Sequence, residues 1–355
     1  MPMNFKKCLL SFTALLLAML LCLGGMTAVI DPFFHYHAPL PHLQYDIFYQ
    51  RYQNDGILKH FDYDAVITGN SLSENFKASQ LDRLFGVHSV KIPFSGASLK
   101  ALDLNLRTAF SSNPNIKLVV MNLDYGSFIQ DKDTMNYDAD DYPNFLYNAN
   151  PFDDVKYIFN KDIFVYSLNV IKNTLSGIKM TSFDEYSAWP ADTPYGLDSI
   201  LSVYDRPEHS EHSFEMNGER RSLLEGNISQ NILETVNAHP DTEFYFFFPP
   251  YSIFFWDRME RIGELSLQLE AERAVIEMLL GSDNVHLFSF MDEYELVTDP
   301  SRYKDTIHYD SGVNEWMLES MAKDEHRLTR ENYKQYLENN TEFYLNYDYA
   351  SLTAE

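Results

Sequence analysis

The sequence predicts an α/β protein in which a parallel sheet is covered by helices on both faces. Short apolar runs recur along the chain, stretches with helical periodicity separate most of them, and the runs are continuously apolar rather than alternating. Strands of this kind are typical of a sheet buried on both sides. We therefore expect a doubly wound (flavodoxin-like) sandwich of about five parallel strands, preceded by one transmembrane helix.

The predicted strands are rich in β-branched and aromatic residues. They cover Ala65–Thr68, Val87–Pro93, Ile116–Leu123, Glu243–Phe248 and Val285–Phe290. The predicted helices cover Ser79–Phe85, Leu99–Phe110, Glu225–Ala238 and Trp256–Gly281. Between the third and fourth strands, residues 125–225 carry many aromatic residues, Trp189 among them, and no strong strand pattern. We expect this interval to be an insertion that forms a lid or a substrate platform.

Composition limits the classes of partner. The chain has 355 residues, of which 45% are hydrophobic, so it can bury a substantial core. Its net charge of −25 argues against nucleic acid and against an anionic lipid surface as a docking partner.

The amino terminus predicts a membrane anchor. Lys6 and Lys7 precede Cys8–Ile30, which has no charged residue and exceeds the roughly 20 residues that a spanning helix needs. The basic flank predicts a single-pass protein of the cell membrane, with a cytoplasmic amino terminus and an extracellular main domain. A cleaved signal peptide is the alternative. Because both cysteines, Cys8 and Cys22, lie in this segment, the exported part has no disulfide and no thiol chemistry.

Four segments follow from these patterns. We expect a cytoplasmic tip and anchor at 1–30, a juxtamembrane lead-in at 31–63, an α/β domain at 64–321 and a polar carboxyl-terminal tail at 322–355.

A metal site is not expected. His35 and His37 alternate as in an extended segment, but no Cys, Asp or Glu cluster nearby completes a site. A group of acidic residues lacks the spacing of a calcium loop and predicts a solvated acidic loop: Asp131, Asp133, Asp138, Asp140 and Asp141.

The first candidate site residue is Ser71. The strand at Ala65–Thr68 stops at Gly69-Asn70-Ser71, which places the serine at the carboxyl end of a strand and near a helix amino terminus. A nucleophile needs this exposure and the stabilisation of negative charge that free N–H groups provide. The alternative is that Ser71 only caps the helix.

The second half of the candidate site is Asp305 and His308, which follow the last predicted strand. Their spacing allows the carboxylate to bind one imidazole nitrogen and to leave the other facing a pocket. If the carboxyl edge of the sheet brings His308 to Ser71, the three residues form a Ser-His-Asp triad.

These motifs resemble the SGNH (GDSL-type) hydrolase superfamily, and most closely its membrane-anchored branch of alginate acetyltransferase-like and D-alanyl teichoic acid transfer proteins. Gly69-Asn70-Ser71 matches the first block, Asp305 and His308 match the last, and Gly96 matches the second-block glycine. The third block, normally Gly-x-Asn-Asp, is represented by Asn122 without its glycine.

The resemblance implies an exported serine-dependent acyl esterase or O-acyltransferase. It implies Ser71 as nucleophile, His308 as base and Asp305 as the residue that orients it, with an oxyanion hole from Ser71, Gly96 and Asn122. The implied substrate is a cell-surface glycan, with acetyl as the acyl group and no cofactor, and the implied partner is a polytopic membrane O-acyltransferase. The alternative, favoured by the incomplete third block, is a non-catalytic glycan- or protein-binding module in cell-envelope assembly.

Overall fold

The computed structural model describes residues 5–137, 143–148 and 150–353. They form two compact units. The first unit takes the described residues of Met1–Phe61 and Tyr137–Ser182, and the second takes those of Asp62–Asn136 and Phe183–Glu355. A middle part of the predicted insertion thus belongs to the first unit, and both halves of the candidate site belong to the second.

Fourteen α-helices occur in the described residues. They are α1 (Phe5–Ile30), α2 (Gln50–His60), α3 (Ala78–Phe85), α4 (Leu99–Ser112), α5 (Val155–Ile158), α6 (Lys161–Ser176), α7 (Leu197–Val203), α8 (Gly218–Ile228), α9 (Glu234–Ala238), α10 (Ile253–Arg261), α11 (Leu265–Leu279), α12 (Tyr294–Val297), α13 (Ser311–Met321) and α14 (Tyr333–Asn346). The strands are β1 (Ala65–Gly69), β2 (Ser89–Pro93), β3 (Leu118–Asn122), β4 (Glu243–Phe248), β5 (Val285–Ser289) and β6 (Arg327–Leu328).

The six strands of the second unit form one sheet in the order β2-β1-β3-β4-β5-β6. The pairs from β2 to β5 are parallel, and every residue of β1, β2 and β3 is buried. The predicted α/β class with a mostly parallel sheet is confirmed. The predicted number of strands was one too low, because β6 is a two-residue strand antiparallel to β5 and is too short to leave a pattern in the sequence.

The prediction of one long helix over Trp256–Gly281 was wrong. The structure has two helices, α10 and α11, with Gly263 between them at a φ of +78°. A Cβ on Gly263 would lie 2.0 Å from the carbonyl oxygen of His212, so the close contact between these two backbone segments requires glycine. Apolar periodicity continued across the break, which is why the pattern alone did not reveal it.

β1 ends in a turn that also requires glycine. Gly69 has a φ of +135°, and a Cβ there would lie 1.9 Å from Asn122 Oδ1 and 2.2 Å from Ser73 Oγ. The residue is therefore constrained by its backbone conformation and by the side chains packed against it.

The first unit contains one helix, α1, that is long and apolar enough to cross a membrane. Directly after α1, the buried Asp31 turns the chain at a φ of +48°. Its carboxylate accepts hydrogen bonds from the backbone N–H groups of His35 (2.9 Å), Tyr36 (2.7 Å) and His37 (3.0 Å) and from the Tyr157 hydroxyl (2.6 Å). One side chain thus replaces the backbone partners that this turn lacks.

A buried carboxyl group lies in the core of the second unit. Glu272 on α11 is fully buried and accepts a hydrogen bond from the Tyr336 hydroxyl at 2.6 Å. Burial raises the pKa of Glu272 to about 7. Because the folded state binds this proton more tightly than the unfolded state, stability falls as pH rises from 4.5 towards 7 and is constant in this respect above that.

We predict that Glu272→Gln removes this pH dependence. The amide oxygen can still accept the bond from Tyr336, whereas the charge that burial penalises is gone. Above pH 7 the variant should gain on the order of 3 kcal/mol of unfolding free energy over the parent, compared with little at pH 4.5. Melting temperatures across this range measure the effect. Glu270→Gln, on the exposed side of α11, is the control, and equal pH profiles for both variants would contradict the assignment.

We predict that Gly69→Ala destabilises the second unit by about 2 kcal/mol or more, because it adds an overlap to an unfavourable φ. Gly86→Ala is the matched control, since Gly86 has a φ of +68° and no atom within 4 Å of its ideal Cβ. That control should cost about 1 kcal/mol, from backbone conformation alone. Melting temperatures compare the two, and equal losses would show that the side chains around Gly69 move aside freely.

Candidate active site

Ser71 is the first residue of a one-turn 3-10 helix that follows β1, Ser71–Ser73. The cap of this turn is Asn70, whose side-chain oxygen accepts a hydrogen bond from the backbone N–H of Leu72 at 3.0 Å. The alternative of Ser71 as a helix cap is therefore not what the structure has. The helix predicted over Ser79–Phe85 is α3, which begins at Ala78.

Asn122, the last residue of β3, holds this turn from behind. The Asn70 N–H donates to Asn122 Oδ1 at 3.1 Å, and this donor fixes which end of the amide is the oxygen. Asn122 Nδ2 donates back to Asn70 Oδ1 at 3.0 Å. The Ser73 hydroxyl lies 2.9 Å from Asn122 Oδ1 and 2.8 Å from the carbonyl oxygen of Thr68. These contacts tie the ends of two neighbouring strands together next to Ser71.

Asp305 shapes the loop that carries His308. Its Oδ1 accepts the backbone N–H groups of Ile307 (2.9 Å) and His308 (2.8 Å), while Oδ2 lies 2.7 Å from His308 Nδ1. The carboxylate of Asp305 therefore has two roles: one oxygen closes the turn, and the other orients the imidazole of His308 three residues later.

The segment after β4 holds this loop from the other side. The Ser252 hydroxyl donates to the carbonyl oxygen of Thr306 at 2.7 Å, and the Tyr303 hydroxyl donates to that of Pro250 at 2.8 Å. The loop is thus attached to the carboxyl end of a central strand of the sheet.

The two halves of the site meet although 237 positions separate them along the chain. Ser71 Oγ lies 2.7 Å from His308 Nε2, and His308 Nδ1 lies 2.7 Å from Asp305 Oδ2. With Nδ1–H donating to the carboxylate, the lone pair of Nε2 faces the serine hydroxyl and can accept its proton. This is the geometry that an activated serine nucleophile needs.

Asp305 is suited to remain ionised. Burial opposes its charged form, but the hydrogen bond and charge of His308, together with the backbone N–H groups of Ile307 and His308, outweigh burial. The net effect lowers the pKa of Asp305 below the usual range of an aspartate. At neutral pH the carboxylate therefore holds the imidazole in one tautomer.

Gly96 lies in an exposed turn after β2, at a φ of +70°. β2 pairs with β1 up to Gly69 and Pro93, so this turn follows the strand next to Ser71. The Asn136 side chain donates to the carbonyl oxygen of Gly96 at 3.0 Å. The structure thus places Gly96 on the same sheet edge as the serine turn.

Trp189, from the interval predicted as an insertion, is a site residue that sequence reasoning had not assigned. Its ring centroid lies 5.3 Å from that of His308, edge to face. Its Nε1–H donates to Glu74 Oε2 at 2.6 Å, and the Lys304 ammonium lies 3.5 Å above its ring. The tryptophan therefore covers one side of the base and is held by the segment that follows Ser71.

A buried lysine supports the same segment from below. Lys91 on β2 is fully buried, and its ammonium donates to the carbonyl oxygen of Glu74 at 2.5 Å. Burial lowers the pKa of Lys91 to about 7. A lysine inside a predicted strand gave no hint of this contact, because the strand pattern does not show what its side chain reaches.

In the described residues, no group of three or more His, Cys, Asp or Glu residues is arranged to hold a metal ion. His35 Nε2 contacts Asp154 Oδ1 at 3.3 Å, and His37 contacts the carbonyl oxygens of Ala38 and Val29. Within the predicted acidic loop, Asp138, Asp140 and Asp141 lie outside the described residues.

Comparisons with known proteins leave the function to be argued from this geometry. No family model matches the chain, and no curated protein matches it. A solved structure from Streptococcus pneumonia that is named for platelet activating factor aligns with 78% of this chain and 90% of its own, with a TM-score of 0.38 and 11% sequence identity.

Proposed function

We propose that the chain is a membrane-anchored, exported serine-dependent O-acyltransferase or acyl esterase that acts on a cell-surface polysaccharide. The observation that carries this proposal is the continuous hydrogen-bonded chain from Ser71 Oγ through His308 to Asp305, with 2.7 Å at each step. Three side chains in this order have the roles of nucleophile, general base and orienting carboxylate.

In the proposed reaction, Ser71 Oγ attacks the carbonyl carbon of an acyl ester while His308 Nε2 takes the hydroxyl proton. Asp305 stabilises the imidazolium and remains ionised itself. His308 then returns the proton to the leaving alkoxide, which departs as an alcohol and leaves the acyl group on Ser71.

The negative charge of the tetrahedral intermediate requires N–H donors. We assign this role to the backbone N–H groups of Ser71 and Gly96 and to the side-chain amide of Asn122. One hydrogen of Asn122 Nδ2 is used by Asn70 Oδ1, so the second hydrogen is the one assigned to the oxyanion.

The acyl-enzyme is resolved by water in an esterase or by a sugar hydroxyl in a transferase. An acetyl group is the proposed acyl group, and a polytopic membrane O-acyltransferase is the proposed partner. The proposed placement of the main domain outside the cell is supported by Lys6 and Lys7 before the apolar helix. These steps need no metal and no organic cofactor.

We predict that Ser71→Ala abolishes acyl-enzyme formation. The full chain in detergent, incubated with 4-nitrophenyl acetate, should release nitrophenol and gain the mass of one acetyl group. Without the nucleophile, the rate should fall on the order of a thousandfold or more, and the mass adduct should be absent. Ser111→Ala is the control and should keep the parent rate, because this serine is exposed at the end of α4 and its hydroxyl donates to the carbonyl oxygen of Thr108.

Equal, background-level signals from the folded parent and Ser71→Ala, with acetyl and longer acyl esters, would contradict the catalytic proposal and favour a binding module. If the adduct forms, added polysaccharide acceptors separate the two reactions. A transferase moves the label to sugar hydroxyls, whereas an esterase releases it as free acid.

We predict that Asp305→Asn lowers the rate of acylation on the order of a thousandfold. The amide N–H can donate to His308 Nδ1, which leaves the proton on Nε2, where it faces Ser71 and removes the base. Single-turnover acylation rates measure the effect. Asp310→Asn is the control, because Asp310 lies in the same segment but caps α13 and pairs with Arg302. Similar losses for both variants would indicate a general disruption of the loop.

A further inference from the structure

The length of α1 indicates which of its residues reach the edge of the bilayer's hydrocarbon core. A spanning helix needs about 20 residues, so counting from Cys8, after Lys6 and Lys7, places the far edge of the hydrocarbon near Thr27. The 26 residues of α1 extend about 39 Å, compared with a hydrocarbon core of about 30 Å. In the anchored protein of the proposed function, on which this inference rests, the last turns of α1 therefore lie at the membrane–water boundary.

Both α5 and α6 pack against α1. A Cβ on Gly24 would lie 2.7 Å from Ile158 Cγ2 and 3.2 Å from Phe159 Cε1, so the end of α5 is in close contact with α1 at this glycine. Gly24 is three residues before Thr27, about 4.5 Å along the helix axis. Part of the first unit is therefore expected at the depth of the headgroups and the first acyl carbons.

The side chains exposed around α5 are mostly apolar, with Lys156 as the exposed charged residue of this helix. Phe152 is 88% exposed, and Val155 and Phe159 are also exposed, while Tyr157 of the same segment is buried. Exposed aromatic residues next to a spanning helix are typical of the membrane interface.

Helix α6 has two distinct faces. Its buried residues, Ile163, Ser167, Val170 and Asn173, follow helical spacing and pack inward. The opposite face carries an exposed stripe at the same spacing, which consists of Lys161, Val165, Leu168, Lys172 and Leu175. Apolar side chains with interleaved lysines are suited to a phospholipid boundary, where the lysine stems lie along apolar surface and the ammonium groups reach the phosphates.

We propose that α5 and α6 form an interfacial platform, in which Phe152, Val155, Phe159 and the exposed stripe of α6 are embedded in the boundary of the bilayer that α1 crosses. The occupant of this apolar surface is phospholipid. Because α5 and α6 pack against α1, the platform is brought to the bilayer surface when α1 inserts, and it does not have to bind lipid from solution. The chain's net charge of −25 opposes adsorption from solution, but α1 tethers the platform and the charged groups of the stripe are lysines.

The test uses the full chain with Cys8→Ala and Cys22→Ala, reconstituted as single copies in phosphatidylcholine–phosphatidylglycerol nanodiscs. An environment-sensitive fluorophore is attached at Leu168→Cys, and the same fluorophore on free N-acetylcysteine is the aqueous reference. Two quenchers are compared, a phospholipid with a nitroxide near its headgroup and aqueous iodide.

The proposal expects blue-shifted emission at Leu168, strong quenching by the lipid and weak quenching by iodide, with the reverse for the aqueous reference. Iodide quenching at Leu168 as strong as that of the reference, with no quenching by the lipid, would overturn it.

A second variant distinguishes the platform from a fluorophore that enters the lipid by itself. Val165→Glu and Leu175→Glu are added to the Leu168→Cys protein, and both changes are at exposed positions that leave the buried face intact. Loss of lipid quenching supports the platform. Unchanged quenching shows that the label alone seeks the membrane and overturns the inference.

Discussion

The candidate site depends on the hydrogen bonds of one buried amide, that of Asn122. Its oxygen accepts the backbone N–H of Asn70 and contacts the Ser73 hydroxyl, and its nitrogen donates to the Asn70 side chain. The amide thus joins the end of β3 to the turn after β1. Because the residue is 1% exposed, these partners are not replaced by water, and the turn that presents Ser71 has a defined position.

The base is positioned by a separate set of contacts. Asp305 closes the loop through two backbone N–H groups and orients His308, while Ser252 attaches the same loop to the segment after β4. Trp189 then covers the imidazole edge. Each half of the site is therefore held by its own hydrogen bonds. The parallel sheet brings the carboxyl ends of its strands to one edge, where Ser71 and His308 lie 2.7 Å apart.

Two buried ionisable groups lower the stability of the fold, because burial removes the hydration of their charged forms. Lys91 lies fully buried beneath the segment after Ser71, and Glu272 lies in the core against Tyr336. Burial moves the pKa of each towards 7, from opposite directions, because both lose hydration of their charged forms. Lys91 supports the site through the backbone carbonyl of Glu74, whereas Glu272 on α11 accepts its hydrogen bond from Tyr336 on α14.

The sequence by itself determined the α/β class, the five parallel strands and the apolar helix at the amino terminus, because these depend on local runs and periods of hydrophobicity. It also indicated Ser71, Asp305 and His308 as candidates, since each motif is contiguous. Only the tertiary structure decided the break at Gly263, the two-residue β6, the bracing amide of Asn122 and the place of Trp189. These depend on contacts between residues distant along the chain, which no local pattern records.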